Sequence, residues 1–331
     1  MNNFEKFALA DIHLHLDGSL SPEAVIHVAK KEGIELPTFD ENELVNYLQV
    51  PENCDSLNEY LKRFDLPNLV LQSEYGLRYC TLDLLKRLAE DGVKYTEIRM
   101  APQLSTVKGL SQEQVVKVLI DTLLEGEKEY GIKSNLILCM MRGNNLREKN
   151  LETVELAKKY KDQKVVAVDL AGAEALFPNE MFDLEFALVK KYGLNLTIHA
   201  GEASGPESVK SAIQFGANRI GHGIHAIEDK NVCELLKKLG ICLEICPKSN
   251  LDTSTINSYS ELPIRQFMDL GIKVSINSDD MSVSNTSVKK EYETLSKLGF
   301  NEKELQSFAL NTIETSFANE ATKTYLKKFI L

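Results

Sequence analysis

Six times along this chain a stretch of helical period ends in a glycine and gives way to a short apolar run. The glycines are Gly92, Gly131, Gly193, Gly216, Gly240 and Gly271, and the runs cover residues 93–99, 135–141, 196–199, 219–221, 241–245 and 272–277. Glycine suits the left-handed residue that closes a helix, so each phrase predicts a helix C-terminus followed by a strand. Residues 165–170 add a strand without the glycine, and residues 8–14 open the series, which makes eight. Between strands the helical period shows in Val116, Ile120 and Leu124, and in Val232 and Leu236 with Leu235 and Leu239 beside them. Pro206 after Gly205 sits where a helix can begin.

Apolar strands alternating with helices imply a parallel sheet covered on its outer face. Eight such units fit a (β/α)₈ barrel, for which 331 residues leave room for insertions. An open, doubly wound sheet has the same periodicity. The polar residues favour the barrel. His13 and His15 follow the first strand, His199 the fifth, His222 the sixth, and Asp279 and Asp280 the eighth. Barrel active sites lie at those C-terminal strand ends, and closure would set strand eight beside strand one. Residues 19–75 are too long for a simple connection and carry helical signals at 22–31 and 57–64, which predicts a lid or substrate wall. Residues from about 301 onward are expected as extra helices. With no linker or low-complexity stretch, residues 1–331 read as one domain.

In Asp11-Ile12-His13-Leu14-His15-Leu16-Asp17 the polar residues alternate with apolar ones. On a strand, residues two apart share a face, so His13, His15 and, should the strand continue, Asp17 project together. Adding His199 and a carboxylate of Asp279-Asp280 gives three imidazoles and one carboxylate, a set that suits Zn²⁺. Two buried core histidines would be the plainer reading of His13 and His15. Glu202, in the turn after His199, is either a solvated loop carboxylate or a protonated carboxyl able to hand its proton to a substrate. His222, between Gly221 and Gly223, suits a base orienting a metal-bound water, whereas His225 and His27 read as structural or surface residues. The adjacent Asp279 and Asp280 repel unless a positive charge is near; one could instead cap the next helix. The sequence Asp169-Leu170-Ala171-Gly172 lacks the lysine that would bridge two metals, so one metal per chain is expected.

Other chemistries are poorly represented. A formal charge of −11 argues against sequence-independent nucleic-acid binding. The chain contains no nucleophile elbow, P-loop or dinucleotide fingerprint. No export signal is read at residues 1–6, no stretch is long enough to span a membrane, and six scattered cysteines fit reduced thiols, so a cytoplasmic location is expected.

The motifs His-Leu-His-Leu-Asp-Gly-Ser (13–19), Thr-Ile-His-Ala-Gly-Glu (197–202), Arg-Ile-Gly-His-Gly (219–223), Leu-Glu-Ile-Cys-Pro-x-Ser-Asn (243–250) and Asn-Ser-Asp-Asp (277–280) resemble the adenosine deaminase family of metal-dependent hydrolases. So do Val-Asp-Leu-Ala-Gly (168–172), Glu-Ile-Arg-Met-Ala-Pro (97–102) and residues 57–65, and the resemblance spans essentially the whole chain. It implies His13, His15, His199 and Asp279 as ligands of one zinc ion. It implies Glu202 as proton donor to purine N1, His222 as partner of the zinc-bound water, and Asp280 as orienting that water and meeting N7. The amide of Gly172 would meet N3 and Asp17 the ribose 5′-hydroxyl, with Leu57, Tyr60, Leu61 and Phe64 as a hydrophobic gate. Departures are Ala173 in place of a common acidic residue, Lys248 in the Cys-Pro-x-Ser-Asn loop, and Met281 where proline is common. The resemblance implies hydrolysis of adenosine and 2′-deoxyadenosine to the inosine nucleosides and ammonia in purine salvage. Adenine or another N6-substituted purine is the alternative substrate, and a barrel that only binds a nucleoside is the alternative of another class.

Overall fold

Eight strands, β1 (Leu9–His15), β2 (Val93–Met100), β3 (Lys133–Met141), β4 (Val165–Ala171), β5 (Asn195–Ala200), β6 (Arg219–His222), β7 (Cys242–Ile245) and β8 (Val274–Ile276), pair in chain order with their neighbours. Every pairing is parallel and helices fill the connections. This computed structural model describes residues 7–51, 54 and 56–330; the chain start at residues 1–6, read above for an export signal, lies outside them. No helix among the described residues is long and apolar enough to cross a membrane.

All six glycines of the repeated phrase take positive φ, from 59° at Gly193 to 93° at Gly216. Before β4, where the glycine is missing, Lys164 adopts a φ of 74° instead. The helix at residue 206 begins as Pro206–Gln214. The helical stripes are only partly as expected. Val116, Ile120, Val232 and Leu236 are buried, but Leu124 and Leu239 are 41% and 56% exposed. Steps of four residues advance a helix by about 40° past a full turn, so a second step carries Leu124 off the buried face. Leu239 is the last residue of its helix and lies beyond the wall.

The strands are less uniformly apolar than expected. Ile12, Leu14, Ile98, Ile198, Ile220 and Leu243 pack in the core under the helices. The alternate residues Asp11, His13, Glu97, Arg99, Asp169, Thr197, His199, Arg219 and Glu244 are buried too, and face the barrel axis as polar groups. The interior of this barrel is thus an ionic lattice rather than the branched aliphatic filling common in the fold.

β8 and β1 close the barrel through one parallel bridge, Leu14 with Asp279. Across it His15 N donates to Asp279 O at 2.8 Å and Asp279 N donates to His13 O at 2.9 Å. Side chains extend the seam. The Asp11 carboxylate accepts from the Ser278 amide (3.2 Å) and hydroxyl (2.5 Å), and Asn277 Oδ1 accepts from Ile12 N at 3.1 Å. Strand β8 stops at Ile276, so Asp279 sits beyond the strand proper and is fixed by this seam.

The insertion after β1 carries helices Pro22–Glu32, Glu41–Leu48, Leu57–Leu61 and Asp65–Val70 before the long helix Glu74–Glu90. The expected element at 57–64 is the helix Leu57–Leu61, capped by Ser56, followed by one 3₁₀ turn. Of the C-terminal helices, Glu302–Thr315 packs directly on β1 and β8 and covers the seam.

Candidate active site

Three imidazoles and a carboxylate converge where the seam meets β5. His13 Nε2 and His15 Nε2 lie 3.1 and 3.2 Å from His199 Nε2, and 3.2 and 3.4 Å from Asp279 Oδ1. The far nitrogens of two rings are committed: His13 Nδ1 meets Glu244 Oε2 at 2.7 Å, and His199 Nδ1 meets Asp169 at 3.0 Å. Burial works against a charged Asp169, but His199 and Arg99 hold it well below the usual carboxylate range. Glu244 is likewise held low by Arg99 and Arg219 against the cost of burial. Ionised carboxylates only accept, so both Nδ1 atoms carry hydrogen. Against burial and Arg99, Asp279 and Glu244 raise His13 to about 9, so a metal ion entering here would displace a proton from His13 Nε2, after which both Nε2 atoms present lone pairs. Two lone pairs facing each other at 3.1 Å, with a carboxylate oxygen as close, repel unless a cation lies among them. Tetrahedral bonds of about 2.0–2.2 Å would put ligand atoms roughly 3.3–3.5 Å apart, close to the separations found here. The donor set fits a metal ion.

Gly221, in β6, makes this packing feasible: a Cβ there would meet His13 Cε1 at 3.0 Å and His199 Cα at 3.2 Å. At the next residue, His222 takes a φ of 58°, and Asp279 one of 61°. Such backbone is rare for side chains larger than glycine and concentrates at functional sites. His222 Nε2 stands 3.6 Å from both Glu202 Oε2 and Asp279 Oδ2. Its Nδ1 faces the amide nitrogen of Asn250 at 3.1 Å. Asn250 therefore donates, Nδ1 accepts, and Nε2 carries the hydrogen, which makes His222 a donor towards the site rather than the base expected from sequence. Burial lowers its pKa to about 4, so the ring is neutral. Burial, and then the charge of Asp279, raise Glu202 to about 8. Glu202 accordingly holds a proton at neutral pH.

Neither Asp279 nor Asp280 caps a helix; the next one, Val288–Lys297, is capped by Ser287. Burial and the charge of Asp279 push Asp280 up, while His13 draws Asp279 down against burial. Asp280 Oδ2 accepts from Tyr60 Oη at 3.0 Å, and Oδ1 has no partner among the described residues.

Apart from His13, which lies fully buried beneath it, every residue singled out above as a ligand, catalytic group or substrate contact lines one cavity of about 280 Å³. Asp17 reaches it by a different route from the one expected. The strand ends at His15, and Asp17 begins a 3₁₀ turn, Asp17–Ser19. Its Oδ1 is buried without a partner among the described residues, and burial lifts its pKa to about 6. Leu57, Leu61 and Phe64 form an apolar wall from the insertion. Tyr60 differs from them, being buried and spending its hydroxyl on Asp280 and on Ser284 at 2.8 Å. His225 pairs with Glu228, and His27 stacks on Tyr79, both away from this cavity.

Beneath the ligands lies a charged lattice whose role the sequence motifs do not reveal. Arg99 bonds Asp169 at 3.2 Å and Glu244 at 2.9 Å, and Arg219 joins Glu244 to Glu97 at 2.5 and 2.7 Å. The signal available was charge at alternate positions of strands that are buried on both faces. Cys246 comes within ligand range of His13, His222 and Asp279, but burial and Asp279 push its thiol well up, so it stays protonated. None of the six cysteines, all described, forms a disulfide.

A family model described as adenosine deaminase matches residues 8–330. The chain belongs to the adenosine deaminase family. An adenosine deaminase of Haemophilus ducreyi is 45% identical over 327 residues, 97% of this chain and 95% of the relative. Among solved structures, an adenine deaminase from Arthrobacter aurescens shares 29% identity at a TM-score of 0.89, with 97% of each chain covered. An N6-mAMP deaminase of Arabidopsis shares 25% identity at a TM-score of 0.86, covering 100% of this chain and 99% of that one. Membership makes this barrel a hydrolytic deaminase of the metal-dependent amidohydrolase type. The names of these three proteins differ in what is attached to the purine.

Proposed function

We propose that this protein, working as one domain, deaminates adenosine and 2′-deoxyadenosine to the inosine nucleosides and ammonia, with one zinc ion per chain held by His13, His15, His199 and Asp279. A cytoplasmic role in purine salvage goes with that reading. The observation that carries it is the meeting, in one cavity, of a lone-pair cluster suited to a cation with a carboxyl that burial keeps protonated. A zinc ion bound there supplies Lewis acidity, lowering the pKa of water from about 16 towards about 7 so that a nucleophile is available at neutral pH.

The chain's own groups do the rest. Glu202 delivers its proton to purine N1, which lets the ring accept the attack of water at C6. His222 donates through Nε2–H to the incoming oxygen, and Asp280 fixes the direction of the water. Of the water's two protons, one passes by way of Asp280 to the leaving amine, which departs as ammonia, and the other restores Glu202 as C6 becomes a carbonyl. The amide of Gly172 meets N3, the Asp17 carboxylate takes a ribose hydroxyl, and Leu57, Leu61 and Phe64 exclude solvent.

The cavity wall speaks for a nucleoside over a nucleotide. Arg142 is the only lysine or arginine lining it among the described residues, and both its terminal nitrogens are spent, on Phe177 O, Asn179 Oδ1 and His199 O. Lys248 turns to Asp252. No free cation is left there for a 5′-phosphate, as an N6-mAMP substrate would require. The adenine deaminase likeness favours the second reading, free adenine as substrate. Turnover of adenosine, 2′-deoxyadenosine, adenine and N6-methyl-AMP by the zinc-loaded enzyme, followed spectrophotometrically, separates these. Adenosine turned over no faster than adenine would overturn the nucleoside reading.

A further inference from the structure

The turn that carries Glu202 has no regular structure of its own, yet one side chain holds it at four points and the helix that follows it at a fifth. Glu174, 1% exposed in the loop after β4, accepts through Oε1 from Gly201 N at 2.7 Å and from Ser208 Oγ at 2.5 Å. Through Oε2 it accepts from the amides of Glu202 (3.1 Å), Ala203 (2.8 Å) and Ser204 (3.2 Å). Consecutive amides converging on one acceptor form an anion-binding nest. Here the anion is supplied by the protein, so the nest organises the turn rather than a ligand. Gly201 permits it by adopting a φ of 69°.

Glu174 also stands two residues after Gly172. The segment 172–174 therefore carries both the amide assigned to N3 and the carboxylate that fixes the residue assigned to N1. These two nitrogens flank C2 of the same purine ring, so the gap between the loops must match the ring. We propose that Glu174 is the positioning residue for the proton donor: its carboxylate sets the register of the Glu202 turn against the Gly172 loop, so that the donor arrives at N1 when N3 is seated. The proposal rests on the reading of Glu202 as proton donor. Glu174 itself touches neither substrate nor metal on this assignment.

Glu174→Gln keeps the shape but turns an amide NH₂ towards converging donors. Misplacement of a reacting group by about 1 Å costs roughly 10²-fold, so kcat should fall by about 10- to 100-fold, with zinc content and the affinity for inosine kept within about twofold. The decisive measurement repeats Glu174→Gln in a Glu202→Gln background. A positioning role predicts less than about a twofold further loss there, because groups acting as one unit are not additive. An equal loss in both backgrounds, or an unchanged kcat for Glu174→Gln, overturns the proposal. Should Glu202→Gln itself turn over normally, the proton-donor reading fails and the clamp has no donor to position, which is a separate result. If Glu174→Gln does not fold, Ser208→Ala, which removes one of the five donors, is carried through the same two backgrounds. It should lower kcat about two- to fivefold alone and not at all beside Glu202→Gln, and equal effects in both would overturn the proposal.

Discussion

The hydroxyl of Tyr60 donates to Asp280 Oδ2 across 3.0 Å, joining the insertion after β1 to the carboxylate that ends the barrel seam. Three neighbours of Tyr60 offer the cavity only hydrocarbon, but this one fixes the orientation of a polar group on its floor. Tyr60→Phe keeps the ring and deletes the bond. Losing one such hydrogen bond costs about 1.5 kcal/mol, so kcat/KM for adenosine should drop by roughly tenfold with zinc content unchanged. Undiminished kcat/KM would show that Asp280 needs no such tether.

Metal content follows from the lone-pair cluster. Protein purified without added metal should carry close to one equivalent of zinc by elemental analysis. His13→Ala should lose zinc and activity together. Two equivalents per chain, or full activity with none, contradicts the assignment.

Glu202 should be visible in the pH profile. Its pKa is raised to about 8 by burial and by the charge of Asp279, so the active, protonated form is present below that value and is lost as pH rises through it. kcat/KM should decline on the alkaline side. Glu202→Gln should lose roughly 10²–10⁴-fold in turnover and lack that limb, while retaining zinc. An alkaline limb that persists in Glu202→Gln belongs to some other group.

Asp17 bears on substrate choice. On the proposed reading its carboxylate takes a ribose hydroxyl, and losing a hydrogen bond to a charged group costs roughly 1.5–3 kcal/mol. Asp17→Ala should lower kcat/KM for adenosine by about one to two powers of ten, leave zinc in place, and narrow the preference over adenine. A preference that survives the substitution would give Asp17 another task.

The lattice below the ligands predicts a different signature. Glu244 accepts from His13, Arg99, Arg219 and Thr197, all buried. Removing one partner of such a set costs about 3–5 kcal/mol because the remaining charges stay buried. Glu244→Gln should therefore lower the melting temperature of the zinc-free protein as well as weaken zinc binding by roughly 10- to 100-fold. A variant that melts like the wild type would place the stabilising contacts elsewhere.

The strand series was legible because each helix end is written locally, by a glycine whose left-handed φ needs no partner elsewhere. The convergence of His13, His15, His199 and Asp279 followed from alternation along β1 and from the closure of eight strands. Asp17 was misplaced on the strand because nothing local announces the 3₁₀ turn at Asp17–Ser19. Leu124 was misplaced because spacing by fours drifts around a helix. The roles of Glu174, Asn250 and the hydroxyl of Tyr60 are not legible in the sequence for another reason: each acts on residues far along the chain, and a single carboxamide, carboxylate or phenol carries no period. The tautomer of His222, set by Asn250, belongs to the same class.

The seam between β1 and β8 has a consequence for how the chain is made. Asp11 and Ser278, bonded across it, are 267 residues apart, and the first histidines leave the ribosome long before the aspartate that faces them. Until nearly the whole polypeptide has been synthesised, the nascent chain holds only the three imidazoles of the proposed ligand set. On the proposed assignment the last ligand and the last strand come off the ribosome together, so completion of the four-ligand set and closure of the cylinder are one event, and a chain that ends before residue 279 lacks both the carboxylate and the bridge partner of Leu14.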